Sequence, residues 1–370
     1  MKLPLISVVI PTYNQALYLP FALDSVLTQT YSNIEIIVIN DGSTDNTEAL
    51  GQIYQQKDQR IKWITQSNQG PSRARNHGIQ IAQGEYIALL DGDDLMDSHR
   101  LMTQWQTLTH NSSIDIVYTA LVLINEKGEK IGELHSQSYA PENFLALMLF
   151  RNLIPGPSTV MTKSGCLKTH PYHLDYLHAE DYELMLRLAQ HYQFFYLDLP
   201  LTSYRRHDHN LSNNLAAHRK AELKVLQSYS LTQIESIVQK TSLKIEEKTL
   251  LKAKILYNQA RFEQALEIFQ QLSLPIALFY QGNCQLKCAL YMQAAELYEK
   301  SLGLDPSNAA CWNNLGVVYH HLQKLDKTNT CFQQALMRQP HYLDAQHNLL
   351  YPSDLKVTWR ELRPQLIPYQ

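Results

Sequence analysis

The chain has 370 residues, of which 45% are apolar and 18% charged, the proportions of an ordinary folded protein and not of a disordered one. That length exceeds what one hydrophobic core usually serves, so two domains are expected. A net charge of −3 gives no sign of a general nucleic-acid-binding surface. No run of about 18 apolar residues offers a membrane span, and no basic-then-apolar leader precedes the first strand. A cytoplasmic protein, at most peripheral at the inner face of a membrane, is expected. The five cysteines (Cys166, Cys284, Cys288, Cys311, Cys331) lack zinc-type pairing and read as buried free thiols.

Residues 5–10 form a continuous apolar run stopped by Pro11, a buried strand, and a helix follows with Leu19, Ala22, Leu23, Val26 and Leu27 on one face. Residues 34–39 are a second such strand, ending at Asn40-Asp41-Gly42-Ser43, with Thr44 and Asp45 placed to cap the next helix. Strands at 61–65 and 86–90 alternate with helices at 72–82 and 98–110. Unbroken apolar strands alternating with helices predict a parallel, Rossmann-like sheet covered on both faces. Beyond it the pattern is mixed. Residues 115–124 run into a hairpin-like turn at Asn125-Glu126-Lys127-Gly128, 158–161 is a short apolar segment, 181–191 a helix, and 194–199 a strand closed by Pro200.

From Ala216 the periodicity is purely helical. Trp312, Leu315, Gly316, Tyr319, Phe332, Ala335 and Pro340 fall at the spacings of a tetratricopeptide repeat, with Thr328 where Ala is usual. About 34 residues earlier stand Leu278, Gly282, Ala294, Tyr298 and Pro306, and a looser unit holds Ala265, Phe269 and Leu272. Residues 344–350 resemble the first helix of a further unit or a cap. Small residues at 282 and 316 let paired helices approach, and the aromatics fill the gaps between units. The expected division is 1–215 as an α/β domain, 216–245 as a helical linker, 246–350 as repeats and 351–370 as a tail.

Six polar stations mark the first half, each with a plain structural reading beside a chemical one. Pro11-Thr12-Tyr13-Asn14 after the first strand is a turn and helix cap, or a loop holding a nucleobase with the Tyr13 ring. Asp41-Gly42-Ser43 is an Asx turn, or places Asp41 to accept from a uracil-like imide. Gln69 to Asn76 begins a helix with solvated arginines, or aims Arg73 or Arg75 at a diphosphate. Asp91-Gly92-Asp93-Asp94 follows a buried strand, where open α/β sheets place ligands. Its crowded carboxylates repel one another unless a cation offsets them. Glu180-Asp181 opens a helix, where acids are favoured, or supplies a general base in Asp181. Tyr204-Arg205-Arg206-His207 is surface charge, or a phosphate-contacting segment with His207 as a ligand.

Taken in order, Val8-Val9-Ile10-Pro11-Thr12-Tyr13-Asn14, Asn40-Asp41-Gly42-Ser43-Thr44-Asp45, Asp91-Gly92-Asp93-Asp94 and Glu180-Asp181 resemble the family 2 glycosyltransferases across residues 4–210. The resemblance implies an α/β GT-A fold and inverting transfer of one sugar from a nucleotide-sugar donor, a UDP-sugar first among them. The acceptor would be a glycan, a lipid-linked saccharide or a protein, in cell-surface glycan or glycoconjugate assembly. It also implies that Pro11, Thr12, Tyr13, Asp41, Arg73, Arg75, Asp91 and Arg205 hold the nucleotide. Asp93, with Asp91, Asp94 and His207, would take Mg²⁺ or Mn²⁺, and Asp181 would be the base. The Gln-x-x-Arg-Trp signature of processive members is absent. The repeats offer a surface for a protein partner. Two rival readings are a repeat scaffold carrying an inactive nucleotide-binding domain, and a sugar-1-phosphate nucleotidyltransferase, whose Gly-rich basic signature Pro11-Thr12-Tyr13-Asn14 does not match.

Overall fold

Four parallel strands begin the molecule, and their apolar runs explain why. β1 (Ile6–Thr12) and β2 (Ile34–Asn40) are buried along their whole lengths, as strands covered on both faces must be. β3 (Ile61–Thr65) and β4 (Tyr86–Leu89) complete the parallel order β3-β2-β1-β4. Helices α1 (Leu19–Leu27), α2 (Thr47–Lys57) and α3 (Pro71–Ile81) connect them. The computed structural model describes residues 3–362 and the backbone of 366–368. It divides into two units, Met1–Ser230 with Gln365–Gln370, and Leu231–Pro364.

In the first unit a two-residue strand, β5 (Leu95–Met96), precedes α4 (Arg100–His110); it is too short to show in the sequence. β6 (Ile116–Ile124) and β7 (Lys130–Leu134) form the expected hairpin, its turn closed by Gly128 N–H donating to Asn125 O at 3.0 Å. α5 (Pro141–Phe150), β8 (Val160–Lys163), α6 (Ser164–Thr169), α7 (Glu180–Leu188), β9 (Phe194–Arg205) and α8 (Leu215–Gln227) follow. β8 lies antiparallel to β4 and β6, so the sheet turns mixed beyond β4. Strand β10 (Leu366–Pro368) pairs antiparallel with β7. Of the tail expected at 351–370, residues 363–365 and 369–370 lie outside the described residues.

Pro200 does not close its strand. β9 continues to Arg205, and its pairing with β6 jumps from Thr119↔Leu197 to Ala120↔Pro200. The irregularity absorbs the missing proline donor, the usual setting for Pro inside a sheet. The extension carries Arg205 to the acidic run.

The second unit contains α9 (Leu231–Gln239), α10 (Ile245–Asn258), α11 (Phe262–Phe269), α12 (Pro275–Lys287), α13 (Tyr291–Leu304), α14 (Ala309–His321), α15 (Leu325–Arg338) and α16 (Leu343–Leu350). The expected glycine–aromatic packing is present. A Cβ on Gly282 would stand 2.5 Å from the Tyr298 ring, and one on Gly316 2.6 Å from Phe332. All five cysteines are free, but Cys288, at the C-terminal end of α12, is exposed where burial was expected.

Candidate active site

The carboxyl ends of β1, β2 and β4 carry three of the stations. Thr12 and Asp41 are fixed to each other by the Asp41 N–H donating to Thr12 O at 2.9 Å. Asn14, with φ at +52°, accepts at its side-chain oxygen from the Thr44 N–H at 2.7 Å. The N-cap of α2 is Asn46, neither Thr44 nor Asp45, and Asp45, one residue before it, accepts from the Thr47 N–H at 3.0 Å. The loop so clamped leaves Tyr13 exposed and Pro11 and Thr12 buried.

Asp41 is only 3% exposed. Its Oδ1 accepts from Gln66 Nε2 at 2.7 Å and Gln69 N at 3.0 Å, and its Oδ2 accepts from Gly70 N at 2.7 Å. Both oxygens therefore anchor the loop that opens α3. Gly42 must be glycine there: its φ is +73° and a Cβ would lie 2.7 Å from the Asn68 nitrogen.

The two arginines on α3 diverge. Arg73 is exposed, and its Nη1 donates to Gln69 Oε1 at 2.8 Å. Arg75 points inward as a bridge. Its Nη2 donates to Asp91 Oδ1 at 2.7 Å, and its Nη1 stands 3.4 Å from Glu180 Oε1 and 3.7 Å from Asp181 Oδ1. Its guanidinium also lies 5.5 Å from the centre of the Tyr172 ring. Burial opposes its charge, but Asp181 and Asp91 outweigh that and hold its pKa well above the ordinary value.

Burial pushes the Asp181 carboxyl up to about 7, with Arg75 opposing and Glu180 and Asp91 adding to the rise. Asp91 is raised as well, first by burial. Tyr172 belongs to no sequence motif, and Asn76, the last residue of segment 69–76, has no role of its own there. Asn76 nonetheless grips the Tyr172 backbone with bonds of 2.9 and 2.8 Å, tying the loop before α7 to α3. Ser158, in the short helical turn before β8, accepts from the Asp91 N–H at 2.9 Å.

The carboxylates of the acidic run face different ways. Asp93 Oδ2 lies 3.0 Å from His207 Nε2, and the imidazole stacks on Tyr18 at 4.7 Å. Asp94 is 1% exposed and turned inward, accepting the Arg205 N–H at 3.0 Å. Burial first, then Asp93 and Asp91, raise its pKa well above the usual range. That orientation removes Asp94 from the metal-facing set. Beneath it Arg100 is fully buried, its pKa pushed down to about 9 by burial while Asp94 opposes the drop.

Arg205 is likewise structural. It is 3% exposed, with Nε donating to Asp93 O at 3.0 Å and Nη1 to Glu126 O at 3.1 Å. Its neighbour Arg206 is the exposed cation of the pair.

Among the described residues no three His, Cys, Asp or Glu side chains form a ready cage for a metal ion. Asp93 and His207 nevertheless give a carboxylate and an imidazole side by side, and hard divalent ions often take one or two protein ligands plus substrate phosphates. The pair fits such an ion with one adjustment. His207 Nδ1 accepts from the His209 N–H at 3.2 Å, so the neutral ring carries its proton on Nε2. Binding through Nε2 requires the 207–209 turn to release that contact.

The carboxylates thus line the carboxyl ends of a parallel sheet, where open α/β folds bind their ligands. The family model "Glycosyl transferase family 2" matches residues 7–162, and a tetratricopeptide repeat model matches 297–328. An uncharacterized glycosyltransferase of Methanocaldococcus jannaschii is 33% identical over 227 residues, covering 60% of this chain and 77% of that protein. One of Rickettsia typhi is 35% identical over 252 residues, covering 65% and 76%. A Rickettsia felis relative, 42% identical over 139 residues, is matched over only 23% of its length. The crystal structure of S. aureus TarS 1-349 in complex with UDP-GlcNAc superposes with a TM-score of 0.53 at 18% identity, covering 91% of this chain and 92% of that one, a likeness of fold. The chain belongs to glycosyltransferase family 2 and is a glycosyltransferase of GT-A fold followed by a helical repeat region. No helix among the described residues is long and apolar enough to cross a membrane.

Proposed function

We propose that the enzyme transfers a single sugar, with inversion, from a nucleotide-diphosphate sugar to an acceptor hydroxyl in glycan or glycoconjugate assembly, and that UDP is the carrier. The observation that carries this reading is Arg75, which binds Asp91 at 2.7 Å and stands 3.7 Å from Asp181. Its guanidinium joins the strand-end carboxylate and the base in one charge network. Tyr13 offers an exposed ring for the base, Asp41 shapes the loop beside it through its bonds to Gln66, Gln69 and Gly70, and Arg73 and Arg206 are exposed cations for phosphate.

The acceptor oxygen attacks the anomeric carbon as its proton passes to Asp181. The carbon–oxygen bond to the diphosphate breaks, and its electron pair leaves with the diphosphate. One displacement inverts the centre, and one base suffices. General-base assistance of this kind contributes about 10²–10⁴ in rate. Asp93 and His207 would hold Mg²⁺ or Mn²⁺, which neutralises charge on the leaving diphosphate. Asp91 is committed to Arg75 and orients the network.

The test is transfer measured against a panel of sugar nucleotides and acceptors, with the product's anomeric configuration read by NMR. A single inverted linkage formed by the wild type and lost in Asp181→Asn, with donor binding kept, is expected. Retained configuration, or full turnover by that variant, overturns the mechanism.

A further inference from the structure

Tyr172 lies in the loop before α7 and is only 2% exposed. Helix α3 holds it at backbone and ring. Asn76 brackets its backbone, donating to the carbonyl at 2.9 Å and accepting its N–H at 2.8 Å. The Arg75 guanidinium lies 5.5 Å from the centre of its ring. None of those contacts uses the hydroxyl, and a phenylalanine would make them all. Yet the hydroxyl is buried and completes no hydrogen bond. Native proteins keep such groups rare, because they give up water for no partner.

The carboxyl group it faces is in the same state. Asp181 Oδ1 is buried and completes no hydrogen bond, with Arg75 Nη1 standing 3.7 Å away. Phenol and carboxyl nevertheless act on each other. Burial raises the Tyr172 pKa first, and Asp181 raises it further. Burial likewise lifts Asp181, with Arg75 and the Tyr172 hydroxyl opposing the rise and Glu180 and Asp91 adding to it. They are hydrogen-bond neighbours whose bond is loose, as catalytic hydrogen bonds commonly are in a free enzyme before the reacting complex tightens them.

The Asp181 side chain is 28% exposed although Oδ1 is buried. The accessible oxygen is therefore Oδ2. One carboxylate thus has an inner oxygen turned to Tyr172 and Arg75 and an outer one open to an incoming alcohol.

We infer that Tyr172 is the positioning residue of the transferase base: its hydroxyl donates to Asp181 Oδ1 in the reacting complex and so presents Oδ2 to the acceptor. The assignment rests on Asp181 being the base. The terminal torsion of an aspartate is broad, so a donor on one oxygen aims the other. Arg75 cannot do this alone, since 3.7 Å is outside hydrogen-bond range. The acceptor's proton passes to Oδ2, and the phenol keeps its own proton before and after the step. A bond donated to the carboxylate also favours its ionised form, which keeps the base competent where burial alone would protonate it.

Tyr172→Phe removes only the hydroxyl, leaving the ring against Arg75 and the backbone in its bracket. In the full chain, the Asp181 carboxyl is titrated by carboxyl-carbon NMR on aspartate-labelled protein, its signal assigned by its loss in Asp181→Asn. An alkaline displacement of about one pH unit in Tyr172→Phe is expected, the size of one charge-assisted hydrogen bond. Transfer from the donor that the wild type uses should lose about tenfold or more in kcat at neutral pH. The donor KM should stay, and the ascending limb of the pH profile should move with the titration. A purely structural Tyr172 predicts none of this, so an unmoved titration or an unmoved kcat overturns the proposal. Full turnover by Asp181→Asn removes the base and this assignment together, whereas an inactive Asp181→Asn beside an unaltered Tyr172→Phe removes only the role of Tyr172.

Discussion

Arg75 and Asp91 meet at 2.7 Å although they belong to different strand–helix units, and the other nitrogen of that guanidinium faces Asp181. One side chain thus sets the charge balance of the base. Arg75→Met should raise the Asp181 pKa further, because the cation that opposes its protonation disappears while Glu180 and Asp91 stay. The alkaline shift should show in the pH profile of kcat. Removing one member of a buried network also costs roughly 3–5 kcal/mol of stability, readable as a lower urea midpoint. Arg75→Lys keeps the charge but cannot span both partners, so it should recover stability more than rate.

Wild-type turnover should rise with pH through about 7, the value to which burial lifts Asp181, because only the ionised carboxylate accepts the acceptor's proton. Stability moves with pH in the opposite sense. A carboxyl whose folded pKa exceeds its unfolded value favours the fold most below the unfolded value, and that advantage is lost as pH climbs through about 7. Asp181→Asn should therefore gain stability relative to wild type as pH rises from the ordinary carboxylate value of 3.8 to about 7, and keep that gain above it, measured by melting at each pH. A pH-independent difference would refute the raised pKa.

Asp93→Ala should remove activity and its dependence on added Mg²⁺ or Mn²⁺ together, whereas Asp94→Asn should act chiefly on stability, since Asp94 bonds Arg205 and faces inward. His207→Ala should weaken metal activation. Undiminished wild-type turnover in excess chelator would contradict the metal role that Asp93 and His207 share.

Gly316→Leu drives a side chain into Phe332, where even a Cβ would sit 2.6 Å away. Overpacking of this kind costs about 1–3 kcal/mol. Thermal unfolding should show a destabilised repeat unit, and Phe332→Ala in the same chain should restore part of the loss.

Native protein should expose one fast thiol to an aromatic disulfide reagent. Cys288 is exposed, whereas Cys166, Cys284, Cys311 and Cys331 are buried and burial pushes their thiols up to about 12. Cys288→Ser should remove the fast phase.

The parallel strands and the acidic stations at their ends were legible because a short unbroken apolar run between amphipathic helices packs best as a strand covered on both faces. The glycine–aromatic repeat spacing was equally plain. What sequence could not supply was direction. Asp91, Asp93 and Asp94 are neighbours in the chain, yet they face Arg75, His207 and Arg205 respectively. Arg75 and Arg73 looked interchangeable, and only partners brought in by the fold, Asp91 and Glu180, distinguish them. Pro200 misled because a proline ends most strands and here sits at an irregularity.

Asp41 grips Gly70, the residue that caps α3, and Arg75 sits little more than one turn into that same helix. On the proposed roles of Asp41 and Asp181, altering Asp41 to change the nucleotide would also retune acceptor activation, because the contacts of both run through α3. Donor preference and turnover would have to be engineered as a pair.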